Sequence, residues 1–419
     1  MDVKGCGHLN RQEGKNEAPQ QDRIDYGILL TIMLLGLIGM GAIYMATKND
    51  GSQAAAVKAV VMQVVWYVIG GIGVIFIMRF DAEQLWRIAP ILYGLGIFLL
   101  VAVLIFYDRG TAASTGAKSW FKLGPITFQP SEVMKPAYIL MLSRVVTLHN
   151  SQFTHNFHND WVLIGKMGLW TLPVAVLLIA QHDLGTTLVF LAIFSGVVLV
   201  SGVTWRIIAP IGGGAIAIGG SALYLAVTDW GQKLLEHFGF QAYQFARIQS
   251  WLNPSGATDG NSYQIWQAMK AIGSGRMTGT GFGNLNVVVP VQESDMIFSV
   301  IGETFGFIGA GILILLYFLL IYQMIRVTFD TKNEFYAYIS TGVIMMILFH
   351  VLENVGMNIG VLPLTGIPLP FVSQGGSFLL ANLFSVGMVL SMRYHHQSYM
   401  FSQTEEFSGS GQGSDLVER

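Results

Sequence analysis

The stretch WVLIGKMGLWTLPVAVLLIAQHDLGTTLVFLAIFSGVVLVSG, residues 161–202, decides the fold. It is apolar almost throughout, and a hydrocarbon layer is crossed by roughly 20 apolar residues in helical form. About 40 residues are twice too many for one crossing, and the polar pair His182-Asp183 divides the stretch near its middle. The pattern predicts a tight helical hairpin, with spans at 161–181 and 184–202. Outward from it, windows of the same kind fall at 25–47, 58–79, 86–107, 131–149, 205–228, 296–325, 335–360 and 376–395. The expected fold class is therefore all-α, a polytopic membrane protein of about ten transmembrane helices.

Composition points the same way. Of 419 residues, 53% are apolar and 12% aromatic, while only 11% are charged; a soluble domain carries about a quarter. One continuous membrane domain over 25–395 follows, with lipid in place of a solvated shell. It is flanked by an N-terminal tail, 1–24, and a C-terminal tail, 396–419, whose end (SGSGQGSDLVER) has the composition of a disordered segment. The first 22 residues are polar and have no apolar core, so they do not read as a cleavable signal peptide. With 23 Lys plus Arg against 25 Asp plus Glu the net charge is −2, which excludes a global basic field for nucleic acid. The single cysteine, Cys6, excludes an intrachain disulfide and a cysteine-based zinc site.

An even number of spans puts both termini on one side, and basic residues in short loops choose the side. With the termini inside, the short inner segments hold Arg23, Arg79, Arg87, Arg144, Lys166, Arg206, Arg326, Lys332 and Arg393, against Lys48, Lys58, Arg109, Lys118 and Lys122 outside. Both termini are thus expected to be cytoplasmic. Two long connections, 108–130 and the large loop 229–295 between spans seven and eight, then lie outside, and connections of that length usually have a task.

Polar residues within or beside the spans are the candidates for chemistry. Glu132 and Lys135 lie three apart at the start of the fourth span and share a helix face; a cap with an ion pair and a functional pair are both open readings. His350, Glu353, Asn354 and Asn358 draw one polar stripe down the ninth span, which must face other helices or a wet cavity. Asp183 is placed to cap the helix that follows it. In the large loop, the run from Gly273 to Asn284 has glycine at every second to fourth position, with Arg247, Lys270 and Arg276 nearby. Its spacing matches neither of the common phosphate-loop signatures, so an anion-handling loop and a flexible re-entrant loop both remain open. Asp295 stands at the mouth of the eighth span and Glu303 two turns into it. Asp295 reads either as a helix cap or as a base working beside cations.

Taken together, Trp120-Phe-Lys122-Leu-Gly124, Gln129-Pro-Ser-Glu132, Gly273-Ser-Gly275, Gly279-Thr-Gly281-Phe-Gly283, Asp295-Met-Ile-Phe298 with Gly302-Glu303, and the long segment from Asn354 through Pro363, Gly366 and Pro370 to Ser377 resemble the shape, elongation, division and sporulation family. The likeness covers about residues 25 to 395 and fits its RodA branch better than its FtsW branch. The resemblance implies an inverting peptidoglycan glycosyltransferase of the bacterial cell membrane that polymerises lipid II for elongation and rod shape. Partners implied are a class B penicillin-binding protein and other proteins of the elongation machinery. Asp295 takes the place of the family's essential aspartate, and Glu132 and Lys135 that of its conserved glutamate and lysine; with Lys122, Arg247, Arg276 and Glu303 these two make up the expected substrate-binding set. The metal ligands are unknown, and a divalent ion (Mg or Mn) is one means of stabilising the leaving pyrophosphate. Glu293 stands where many members carry His, Thr304 where a second Glu is common, Arg276 where Gly is frequent, and Gln374 where Tyr is frequent. The rival class is a flippase or transporter of the lipid-linked precursor, which would place its acids near the midplane.

Overall fold

A computed structural model describes residues 24–124, 126–237, 248–254 and 260–408. The site candidate Arg247, nearly all of the N-terminal tail and residues 409–419 lie outside the described residues. Thirteen helices are labelled in chain order: α1 (Tyr26–Asp50), α2 (Gln53–Ile77), α3 (Ala82–Phe106), α4 (Arg109–Thr115), α5 (Pro130–Gln152), α6 (Phe157–Ala180), α7 (Leu184–Val200), α8 (Trp205–Val227), α9 (Asp229–His237), α10 (Gly260–Ser274), α11 (Ile297–Thr331), α12 (Glu334–Asn358) and α13 (Gly376–Ser408).

Each apolar window is a helix. Eight of the helices are long and apolar enough to cross a membrane among the described residues, and α7 is an apolar helix of 17 residues. The chain is a polytopic, all-α membrane protein. The helix α5 has span length at 23 residues but carries polar groups along much of its course; it is buried because α3, α6, α7, α12 and α13 all pack against it. Helix starts follow local chemistry: Asp25, Ser52, Asp81, Asn156, Asp183 and Asn333 each accept a hydrogen bond from a backbone N–H of the first turn. The last helix passes the expected boundary at 395 and runs to Ser408, since no Gly or Pro stands between 395 and Gly409.

The two long connections are not featureless. The first contains α4 and a small antiparallel hairpin, β1 (Phe121–Leu123) with β2 (Ile126–Phe128), in which Lys122 pairs with Thr127. The second contains α9 and α10; Ile265, Ala268 and Ala271 of α10 pack on Val289, Met296, Met357 and Leu364 in a small core of their own.

The glycine-rich run does something the sequence did not spell out. Within α11, Gly306 leaves the helical conformation at φ 64° and ψ −162°, which frees two carbonyls and two N–H groups. The run supplies all four partners: Thr280 N donates to Glu303 O at 2.9 Å and Gly281 N to Thr304 O at 3.1 Å, while Phe307 N donates to Arg276 O at 2.9 Å and Ile308 N to Met277 O at 3.1 Å. Irregular backbone at membrane depth is tolerated only where protein satisfies it in this way. The splice demands glycine: a Cβ on Gly275 would lie 2.0 Å from Gly302 O, and one on Gly279, at φ 84°, 2.0 Å from Thr304 O.

Candidate active site

At one end of the bundle a cavity of about 1170 Å³ opens between α2, α5, α7, α12 and the segments 290–296 and 364–377. Asp295, Glu132, Lys135 and His350 line it, joined by Glu293, Asp183, Gln129 and Trp120. The sequence spreads these groups over more than two hundred positions, and the fold brings them to one cavity.

Asp295 is half-buried in a turn before α11. Its Oδ1 accepts from Ser294 Oγ at 2.8 Å. Its main chain is held from α12, where Asn354 Nδ2 donates to Asp295 O at 2.8 Å and to Ile367 O at 2.8 Å, and Asn358 Nδ2 adds a bond to Asp295 O at 3.2 Å. The polar stripe of the ninth span is therefore an interhelical brace, and part of what it braces is Asp295. From the other side Ser373 Oγ donates to Ser294 O at 2.7 Å and Gln374 N to Glu293 O at 3.0 Å. Gln292 Nε2 anchors the same turn to Ala46 O of α1 at 2.9 Å. Val291 carries a left-handed φ of 57°, a strain of order 1–2 kcal/mol that these bonds sustain. Gly366, at φ 75°, passes so close to Asp295 that a Cβ there would lie 3.2 Å from Oδ2.

Glu132 and Lys135 pair at 2.8 Å with side chains only 5% and 3% exposed. Lys135 Nζ also contacts His350 Nε2 at 3.1 Å, and the Phe378 ring lies 5.3 Å from it. Asp183 caps α7 through Thr186 N at 3.0 Å and accepts from Gln129 Nε2 at 3.0 Å.

The other candidates fall elsewhere. Glu303 is buried, and its Oε1 accepts from Asn286 N at 2.7 Å and Val287 N at 3.2 Å; it fastens the end of the glycine-rich run to α11. Arg276 is exposed at φ 49°, and Lys122 is exposed on β1. None of these three lines the cavity. Among the described residues no group of three or more His, Cys, Asp or Glu side chains is placed to hold a metal ion.

The family model of FtsW, RodA and SpoVE, described as cell cycle proteins, matches residues 23–398. The chain belongs to the FtsW/RodA/SpoVE family. It is 31% identical to stage V sporulation protein E of Bacillus subtilis over 87% of this chain and 94% of that one. It is 34% identical to the peptidoglycan glycosyltransferase MrdB of Escherichia coli K12, over 74% of this chain and 78% of that one. Among solved structures, a chain of a peptidoglycan synthase complex that coordinates polymerization and crosslinking superposes with a TM-score of 0.70 at 27% identity, covering 90% of this chain and 98% of its own. The rod shape determining protein RodA of Thermus thermophilus superposes at 0.62 with 25% identity, covering 89% and 97%. In this FtsW/RodA/SpoVE member, the residues that sequence reasoning passed over are Gln292, Ser294 and Ser373. Ser294 bonds the Asp295 carboxylate directly, while Gln292 and Ser373 hold the backbone of its turn, and a polar residue in a loop gives no sign of that until the loop is folded.

Proposed function

We infer that the chain is a peptidoglycan glycosyltransferase that extends a glycan strand from lipid II, with Asp295 as the general base. The observation that carries the reading is the gathering of Asp295 and the buried Glu132–Lys135 pair on the wall of one large cavity. A lipid-linked sugar needs a cavity of this size with charged groups on its wall. The Asp295 carboxylate takes the proton of the acceptor's 4-hydroxyl as that oxygen bonds to the donor's anomeric carbon. The bond from that carbon to the pyrophosphate oxygen breaks with inversion, and the leaving group keeps the electron pair. Lys135 faces the charge that grows there; a positioned donor of this kind is worth about 10²–10³ in rate.

The donor set fits a resident metal poorly, since Glu132 is engaged by Lys135 and Asp295 is braced by Ser294. A Mg or Mn ion taking part would draw most of its oxygen ligands from the pyrophosphate and water, and no step above depends on one. A class B penicillin-binding protein is the proposed membrane partner and both termini are proposed to face the cytoplasm; the family's structural neighbour within a synthase complex and the distribution of basic loop residues support these. Other elongation-machinery proteins complete the proposed assembly.

The test is polymerisation of lipid II by the purified protein with its partner in proteoliposomes, with translocation of labelled lipid II read separately. General-base assistance contributes about 10²–10⁴, so Asp295→Asn is expected to lose nearly all polymerisation while keeping its unfolding temperature. Polymerisation at the parental rate by Asp295→Asn would remove Asp295 from the role.

A further inference from the structure

Lys135 pairs with Glu132 of its own helix; its second partner comes from α12, which packs against α5. His350 on α12 is 1% exposed, with Nε2 3.1 Å from Lys135 Nζ and Nδ1 2.5 Å from Met346 O. An ammonium only donates and a carbonyl only accepts, so Nε2 is the acceptor and Nδ1 carries the proton. The imidazole is thus neutral, with both nitrogens satisfied, and its ring packs edge-on to Phe378 at 5.2 Å. Lys135 is thus ion-paired with Glu132 and in contact with His350 while lining the cavity, and an ammonium with three N–H groups can also donate to a ligand there. Without the imidazole the ammonium is free to settle wholly onto Glu132, where its charge is cancelled.

The next turns of the same helix hold the base. Asn354 and Asn358 carry the Asp295 carbonyl, and a helix rises about 6 Å over the four residues from His350 to Asn354. One helix face thus grips the cation at one level and the backbone of the base at the next. We propose that His350 is a positioning residue that presents Lys135 to the leaving pyrophosphate, and that one face of α12 sets the separation between Lys135 and Asp295. This rests on the glycosyl-transfer reading above. It assigns His350 no contact with the reacting atoms.

The experiment is steady-state polymerisation of lipid II by the full-length protein with its membrane partner, comparing parent, His350→Leu, His350→Gln, Lys135→Met and the double variant Lys135→Met/His350→Leu. His350→Leu is expected to lower kcat by about 10- to 100-fold with KM changed less than about threefold, the pattern of an interaction made in the transition state. His350→Gln can accept from Lys135 and donate to Met346 O, and is expected to restore turnover to within about threefold of the parent. The double variant is expected to be no slower than Lys135→Met alone, because the two residues act as one unit. Parental kcat in His350→Leu, or losses that multiply in the double variant, overturn the proposal. Should His350→Leu fail to fold, His350→Asn takes its place: it is one methylene too short to bridge Met346 and Lys135, and parental kcat in it overturns the proposal equally. A parent protein that polymerises nothing overturns the glycosyl-transfer reading instead, which keeps the two failures distinct.

Discussion

Replacing Asn354 by leucine isolates what the brace on Asp295 is worth. The side chain is fully buried, and its amide nitrogen feeds two carbonyls, Asp295 O and Ile367 O, both at 2.8 Å. Leucine fills nearly the same volume and supplies neither bond. A buried carbonyl left without its donor costs about 1–3 kcal/mol. Asp295 O keeps the longer bond from Asn358 at 3.2 Å, and the loss in stability is about 2–4 kcal/mol after the modest gain from added apolar contact. The larger effect falls on catalysis. The turn 291–296 is freed on one side, and a displacement of about 1 Å at a reacting group costs on the order of 10²-fold. Lipid II polymerisation by purified protein is expected to show kcat down about 100-fold with little change in KM, and thermal unfolding in the same detergent should show the stability loss. Asn382→Leu is the control: that asparagine is 1% exposed, but among the described residues its Nδ2 bonds to Phe378 O of its own helix at 2.8 Å. It should keep its turnover per folded molecule. A folded Asn354→Leu protein polymerising within about twofold of the parent would refute the reasoning.

Two further outcomes follow from the α11 splice. Gly279→Ala places a methyl 2.0 Å from Thr304 O at φ 84°; left-handed strain of about 1–2 kcal/mol and weakening of the four cross-bonds, about 1 kcal/mol each, should lower the unfolding temperature sharply. Gly281→Ala, whose methyl would meet only Asn284 Nδ2 at 3.7 Å, should show the strain alone, and equal losses in the two variants would speak against the splice. Glu303→Gln keeps an acceptor for Asn286 N and Val287 N and should cost less than about 1 kcal/mol, whereas Glu303→Leu removes the acceptor of both N–H groups and should cost about 1–3 kcal/mol. Limited proteolysis of the segment between Gly275 and Asp295 reads this directly, and equal protection of both variants would contradict the fastening role.

The helices were legible because a hydrocarbon layer imposes a length and a composition that few other constraints can imitate. Even the hairpin at His182-Asp183 announced its turn, since Asp183 is a good cap and two spans needed one. The small strands at Phe121–Leu123 and Ile126–Phe128 were not legible: three residues a side give too short a pattern for an alternation to register. Nor was the continuation of α13 to Ser408, where polar composition suggested disorder but no residue actually stopped the helix.

The site was half legible, and the dividing line is physical. Asp295, Glu132 and Lys135 stood out because a charge beside the bilayer is costly and asks for a reason. The same rule also picked Glu303 and, with the glycines, Arg276, whose cost has a different reason: a helix broken at Gly306 needs four backbone partners and a carboxylate to tie down the chain that brings them. Cost alone cannot separate a charge that meets substrate from one that meets an orphaned N–H, because both are buried polar groups that find a partner. What separates them is which surface they reach, the cavity wall for the first three and the underside of a loop for Glu303. The stripe on α12 makes the point in reverse. Interhelical hydrogen bonding on its own would be a structural feature, yet the stripe's partners are Lys135 and the backbone of Asp295, so the packing of one helix reaches both of the groups proposed to carry the chemistry.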